Sequence, residues 1–286
     1  MRTLLLLFLS TFLVAANAQK NPTQKAQPIV KEGKKLYLSE MASWYGTDIF
    51  LEAYENRENI GGYFSYTDEG TSRCIFYSTD EKPQVIGTIS FDSTFSILTA
   101  STDLKPRSFT ETENDLYTIR TKALELVNTD TLFKSYSNTN LNLIPLITKK
   151  EKKVYIITGP QKNGVVIFGN DYLITFNKKN KVTEKKQLHR NIIPINYSTE
   201  ENDTTKAVTT MHSHTPETGD YITATDICTL MLYSKFSGWE SHNVVSKEYL
   251  NIWDCEKEKL TVIPMKTIDK INGNEEKSEE KGKAKK

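Results

Sequence analysis

The stretch Met211-His-Ser-His-Thr-Pro-Glu-Thr-Gly-Asp-Tyr-Ile-Thr-Ala-Thr-Asp226 decides how the second half of the chain folds. Residues 207–214, which overlap its start, contain several β-branched side chains and predict a strand that ends in histidines. After a turn, the apolar spacing over residues 224–236 predicts a helix. Residues two apart on a strand point to the same face, so His212 and His214 are expected to project side by side.

The first turn of that helix carries Asp226, which can face back toward the histidine pair. Imidazole is the commonest zinc ligand, and two histidines with one carboxylate leave a fourth position for water, as in catalytic zinc sites. The sequence therefore predicts Zn²⁺ bound by His212, His214 and Asp226. An alternative explanation stays open, because Thr223-x-x-Asp226 is also a helix-capping pattern that needs no metal.

The spacing of these residues resembles the signature of a known family. His212-Ser-His214, eight intervening residues and Thr223-x-x-Asp226 are similar to the H-[ST]-H-x(7)-S-x-x-D motif of the JAB/MPN (JAMM) metallopeptidases. The flanking Gly-Asp and Ile-Cys-Thr resemble the RadC-like branch, and the resemblance covers roughly residues 154–263. It implies a cytidine-deaminase-like α/β sheet domain in which His212, His214 and Asp226 bind zinc and Thr223 replaces the serine that stabilises the oxyanion. The implied activity is hydrolysis of peptide or isopeptide-like amide bonds, with a protein or peptide as substrate.

The general base of that family has no clear counterpart here. The family places a glutamate on an upstream E-x-x-G strand, and the best match is Gln161-Lys-Asn-Gly164, whose amide cannot act as a base. Asp171 and Glu217 are alternative candidates, and His189 and His242 are expected to be structural. Three functions therefore stay open: a zinc-dependent hydrolase, a catalytically inactive JAB/MPN-like module that binds metal or a protein partner, and a structural envelope protein without metal.

The two ends of the chain are expected to lie outside the fold. Residues 1–18 combine Arg2, a short apolar run and the small-x-small pattern Ala16-Asn17-Ala18, which predicts a cleaved signal peptide and a periplasmic or extracellular protein. No later stretch is apolar enough to predict a transmembrane helix. Residues 19–35 are expected to be a flexible linker, and residues 269–286 a disordered charged tail.

Between these ends the sequence predicts an α+β fold in two parts. Residues 36–150 predict an antiparallel meander with helices, one of them at 111–127 after Thr110 as N-cap, and the role of this part is unknown. Residues 151–268 form the predicted JAB/MPN-like domain.

Charge and cysteine content narrow the function classes. The chain has 37 Lys+Arg and 36 Asp+Glu, and loss of Arg2 with the signal peptide leaves 36 of each. A neutral chain argues against a nucleic-acid partner, which would favour a basic excess. The three cysteines allow at most one disulfide, for which Cys228 and Cys255 are the candidate pair, and three free thiols are the alternative. The sequence does not indicate an oligomeric state.

Overall fold

The computed structural model describes residues 21–200 and 206–271, so the predicted signal peptide lies outside the described residues. Three long α-helices and four β-sheets fill these ranges, and the α+β prediction is confirmed. A further helical segment covers residues 265–271. The predicted disordered tail, 269–286, therefore begins inside a helix, and the rest of it lies outside the described residues. None of the described helices is long and apolar enough to cross a membrane.

The first helix, α1 (Pro22–Ala53), departs most from the sequence prediction. It begins behind Asn21, whose side chain accepts a hydrogen bond from a first-turn amide, and it absorbs most of residues 19–35, so the flexible-linker prediction is wrong there. The apolar pattern of this part is weak because its buried face is made mainly of small side chains. Packing against α3 (Ala224–Ser237) stabilises it instead. The buried positions are Ala26, Val30 and Gly33.

The N-terminal sheet is the predicted antiparallel meander. Its four strands, β1 (Ile60–Asp68), β2 (Thr71–Ser78), β3 (Val85–Phe91) and β4 (Ser101–Asp103), pair in chain order. The second part of α1 covers this sheet through a core that includes Phe50, Phe76 and Ile89.

The second helix, α2 (Glu111–Thr129), begins where the sequence predicts. The Thr110 hydroxyl accepts a hydrogen bond from the Glu113 amide, and the Glu113 carboxylate accepts one from the Thr110 amide. This reciprocal pair is a capping box, which satisfies amides that the helix itself leaves free.

The second sheet spans the predicted domain boundary. Its strands, β5 (Thr139–Ile147), β6 (Lys152–Pro160), β8 (Tyr172–Phe176) and β9 (Val182–Gln187), pair antiparallel in the order β5-β6-β8-β9. Because β5 and β6 form one hairpin, the boundary predicted between residues 150 and 151 falls inside a turn and does not separate two parts of the fold.

A short two-stranded sheet links this region to the next. It consists of β7 (Val165–Gly169) and β10 (Ile192–Asn196), which pair antiparallel. Gly169, the last residue of β7, adopts a positive φ of 78°, a conformation that glycine enters without the steric cost of a side chain. The turn after β7 delivers Asp171 to the start of β8.

The fourth sheet contains the predicted strand–helix unit. Its strands are β11 (Thr209–Ser213), β12 (Ser241–Val245), β13 (Tyr249–Asp254) and β14 (Lys259–Pro264), in chain order. The first two are parallel, and α3 is the crossover between them. A β-α-β unit of this kind places the end of β11 next to the start of α3, where the candidate site lies.

The cysteines form no disulfide in the structure. Cys74, Cys228 and Cys255 are all free thiols, so the candidate pair Cys228–Cys255 is wrong and the alternative of free thiols holds. Cys228 packs in the core cluster around Leu36, whereas Cys255 packs against the cluster around Trp253.

Candidate metal centre

His212 and His214 lie side by side at the end of β11, as the alternation of a strand predicts. As whole residues they are 6% and 8% exposed, their side chains only 2% and 0%, and their Nε2 atoms are 3.1 Å apart. Burial of two imidazoles at this distance is costly unless a proton or a cation lies between the nitrogens.

Asp226 faces the same pair from the first turn of α3. Its Oδ2 lies 3.2 Å from Nε2 of His214, and its Oδ1 lies 3.6 Å from Nε2 of His212. Oδ2 also accepts a hydrogen bond from the Thr223 amide at 2.8 Å. The capping and the ligand explanations are therefore compatible, because the carboxylate that caps the helix also faces both imidazoles.

The Thr223 hydroxyl lies at the helix cap. Its Oγ1 accepts a hydrogen bond from the Asp226 amide at 3.1 Å and lies 2.9 Å from the hydroxyl oxygen of Thr225. The capping box that the sequence predicts is formed at this helix.

A third histidine joins the cluster. The sequence predicts a structural role for His189, but its Nε2 lies 3.0 Å from Nε2 of His214 and 3.5 Å from Oδ1 of Asp226. Its Nδ1 lies 3.1 Å from Oδ2 of Asp171, and both residues are 3% exposed. No spacing in the sequence predicts the contact of His189 with Asp171. It depends on the pairing of β8 with β9, after which the Leu188 amide donates to the Asp171 carbonyl.

The fourth histidine lies behind the cluster rather than in it. His242, on β12, is fully buried, and its Nε2 lies 2.8 Å from Nδ1 of His212. Its Nδ1 lies 2.8 Å from the hydroxyl oxygen of Thr210, the residue paired with it across the sheet. For His242 the sequence prediction of a structural role agrees with this placement.

The donor set fits a metal ion. His189, His212, His214 and Asp226 each offer one ligand atom, and these atoms lie within 4.8 Å of one another. Zinc–nitrogen bonds of about 2.0–2.1 Å in a tetrahedral site place ligand atoms roughly 3.3 Å apart. The contacts of His214 with the other two histidines and of the Asp226 oxygens with the three imidazoles are 3.0 to 3.6 Å long. Oδ1 of Asp226 is buried without a hydrogen-bond partner and faces two of the Nε2 atoms. This group of side chains could therefore hold a metal ion.

Electrostatics in the cluster favour a cation. Burial lowers the pKa of His212 to about 4, more than the Asp226 carboxylate raises it. Burial also lowers the pKa of His189, but Asp226 and the hydrogen-bonded Asp171 outweigh it and raise that pKa to about 9. Burial would raise the pKa of Asp226, yet the facing imidazoles hold it well below its usual range. The two carboxylates thus act on a positive centre, which a proton on His189 or a metal ion can supply.

The proposed match for the general base is wrong. Gln161 lies exposed in the turn between β6 and β7, where its side-chain amide donates to Asn140. Gly169, whose Cβ position would lie 3.5 Å from Cβ of His189, is at the opposite end of β7 from that turn. A five-residue strand spans about 13–16 Å, so Gln161 lies far from the cluster. Glu217 is exposed in the turn after β11. Of the three candidates, only Asp171 reaches the cluster, through its bond to His189.

No family model, no curated protein and no solved structure matches the chain.

Proposed function

We propose that this protein binds one zinc ion through four of its own side chains, and that the ion stabilises a catalytically silent module of the JAB/MPN-like type. The single observation that carries this proposal is the position of His189, whose Nε2 lies beside His214 and Asp226. A fourth protein donor fills the coordination position that a catalytic zinc site leaves to water.

Burial supports the closed arrangement. The four ligand side chains are between 0% and 3% exposed, so neither water nor a substrate carbonyl has a free approach to the centre. Structural zinc sites have four protein ligands and no open position, whereas catalytic sites keep one open. Three imidazoles and one carboxylate suit zinc better than calcium or magnesium, which prefer six or more oxygen ligands.

The site would connect three segments that are distant in sequence. His189 follows β9, His212 and His214 end β11, and Asp226 begins α3. A bound ion would neutralise the buried carboxylate and hold these segments together, so its binding free energy would add to the stability of the fold. A module stabilised in this way presents its surface to a protein or peptide partner without acting on it.

A second candidate function has one specific observation in its favour. If only His212, His214 and Asp226 bind the ion, then His189 can act as a base, because the ion supplies the positive charge that a proton on this ring supplies without metal. The Asp171 carboxylate bonded to Nδ1 would orient that imidazole, and Nε2 would accept a proton from an attacking water. The protein would then be a hydrolase of peptide or isopeptide-like amide bonds, with Thr223 stabilising the oxyanion and a His–Asp pair in place of the family glutamate.

Substitution of His189 separates these two functions. For the closed site, His189→Ala should weaken zinc binding by about 100-fold or more, since it removes a direct ligand. For the hydrolase, the variant should retain about one zinc per chain and lose amide-bond cleavage. Arg190→Ala, the exposed neighbour, is the matched control and should change neither. The double variant His212→Ala, His214→Ala should bind no zinc in both cases, and unchanged zinc content by elemental analysis would reject the metal site itself.

Cobalt substitution gives an independent measurement. Co²⁺ in place of zinc reports its coordination through visible absorption. With four protein ligands, added azide should leave the spectrum unchanged, because no position is open. An azide-dependent change of the spectrum would favour the hydrolase.

Export completes the proposal. The signal-like residues 1–18 support a location outside the cytoplasm. Protein recovered from its native cell should begin at Gln19 or close to it by N-terminal sequencing, and an intact Met1 would reject export.

A further inference from the structure

His242 has no ligand atom in the metal cluster, yet its position is unusually constrained. Its ring stacks on Phe168 with centroids 4.7 Å apart and an interplanar angle of 18°, and Trp239 lies 6.0 Å away at 24°. The residue is fully buried. The aromatic neighbours restrict the plane of the imidazole, so its two nitrogens point in fixed directions.

Both of those nitrogens are engaged. Nε2 is 2.8 Å from Nδ1 of His212, and Nδ1 is 2.8 Å from Oγ1 of Thr210. Thr210 and His212 lie on the same face of β11, and the parallel pairing of β11 with β12 places His242 opposite Thr210. The result is a continuous chain of hydrogen bonds from the hydroxyl of Thr210 to the cluster.

Only one direction of this chain allows His212 to bind a metal. A neutral imidazole that binds through Nε2 must carry its proton on Nδ1. That proton is then donated to Nε2 of His242, which must accept. His242 consequently carries its own proton on Nδ1 and donates it to the Thr210 hydroxyl oxygen. In the reverse direction the proton of His212 would lie on Nε2, and no lone pair would face the cluster.

The Nδ1 atoms of the other two candidate ligand histidines have different surroundings. Asp171 accepts from Nδ1 of His189, so there a charged group fixes the ring. Nδ1 of His214 is buried without a hydrogen-bond partner. His242 thus gives His212 a neutral acceptor and adds no further negative charge to a region that already holds two buried carboxylates.

We infer that His242 and Thr210 are positioning residues: together they select the tautomer of His212 whose Nε2 lone pair faces the cluster. The effect on zinc affinity rests on the proposed function. The choice of tautomer does not, since it can be observed in the protein without metal.

Four substitutions test the chain of hydrogen bonds. His242→Phe keeps an aromatic ring against Phe168 and Trp239 but removes the acceptor, and zinc affinity should fall by about 10- to 100-fold. His242→Gln keeps an acceptor near the position of Nε2 and should remain within about threefold of the parent. Thr210→Val removes the hydroxyl and should weaken binding, whereas Thr210→Ser should restore it. Chelator competition measures the affinities, and a parental far-ultraviolet circular dichroism spectrum checks folding.

A nitrogen-15 NMR spectrum of labelled histidines supplies the readout that a packing role would not change. In the protein without metal, His212 should be protonated on Nδ1 in the parent and in His242→Gln, and should shift toward Nε2 protonation in His242→Phe. Parental affinity in His242→Phe, equal losses in the Phe and Gln variants, or an unchanged His212 tautomer would each overturn the inference. If His242→Phe does not fold, equal zinc affinities of Thr210→Val and Thr210→Ser would overturn it. If the parent binds no zinc but the tautomer follows His242, the metal proposal fails and the positioning role stands.

Discussion

Asp171 and His189 form a buried pair, with Oδ2 of the carboxylate 3.1 Å from Nδ1 of the imidazole. Each comes from a connection rather than from the interior of a strand: Asp171 from the turn before β8 and His189 from the segment after β9. Burial raises the pKa of Asp171 more than the hydrogen bond from His189 lowers it. In carboxylate–histidine–metal arrangements, a carboxylate in this position fixes the orientation of the imidazole.

The first prediction concerns this pair. Asp171→Asn keeps an oxygen that can accept from Nδ1 of His189 but removes the charge, so zinc affinity should fall by about 10-fold. Chelator competition measures the change. Asp254→Asn, at the end of β13, is the control, because that carboxylate accepts a hydrogen bond from exposed Lys257 and not from a residue of the cluster. Equal zinc affinity in the parent and in Asp171→Asn would mean that the carboxylate does not support a ligand.

The second prediction concerns stability. If zinc binds only the folded protein, a free zinc concentration of about 1,000 times the dissociation constant adds roughly 4 kcal/mol to the free energy of unfolding. For a chain of this size that corresponds to about 10 °C in the unfolding midpoint. Calorimetry with and without zinc measures the shift. The double variant His212→Ala, His214→Ala should show no shift, and a similar rise in that variant would indicate zinc binding elsewhere.

The third prediction tests the packing of α1 against α3. A Cβ atom at Gly33 would lie 2.7 Å from Cβ of Ile227 and 2.9 Å from the carbonyl oxygen of Ala224. Gly33→Ala should therefore destabilise the protein by about 1–3 kcal/mol, although alanine favours a helix more than glycine does. Lys31→Ala, exposed on the same helix, should change stability by less than about 0.5 kcal/mol. Urea denaturation measures both, and a stabilising Gly33→Ala would contradict this packing.

The fourth prediction is a pH dependence at the start of α2. Burial by itself would raise the pKa of Glu113, but hydrogen bonds from Arg107 and from the Thr110 amide outweigh it and lower that pKa. A lowered folded-state pKa means that the carboxylate stabilises the fold above its unfolded value, near 4.5, and that this contribution is lost as the pH falls through the folded-state pKa.

Glu113→Gln should consequently cost about 2 kcal/mol at pH 7 and less at pH 3, because below pH 4.5 the unfolded carboxylate takes up a proton that the folded carboxylate resists. Arg107 is partly exposed, so solvent screens part of the ion pair. Urea denaturation at both pH values measures the difference. Glu125→Gln, exposed on the same helix, should be nearly neutral throughout. Equal losses for Glu113→Gln at pH 7 and pH 3 would show that the charge is not the stabilising feature.

The sequence by itself determined the features that depend on neighbours within a few residues. Alternation along a strand placed His212 and His214 on one face, and the pattern Thr223-x-x-Asp226 set the start of α3. Capping at Thr110 and the antiparallel meander followed from equally local signals. These features are predictable because the period of a strand and the free amides of a helix are properties of the local backbone.

Only the tertiary structure decided the rest. The helix over most of residues 19–35 forms because one of its faces packs against α3. That face has few large apolar side chains, so the sequence alone does not predict the helix. His189 and His214 are 25 residues apart and follow strands of two different sheets, β9 and β11, so their contact depends on how the sheets are placed. Whether the candidate zinc site is open or closed depends on that contact. A contact between distant segments is set by register and packing, and no periodicity in the sequence records it.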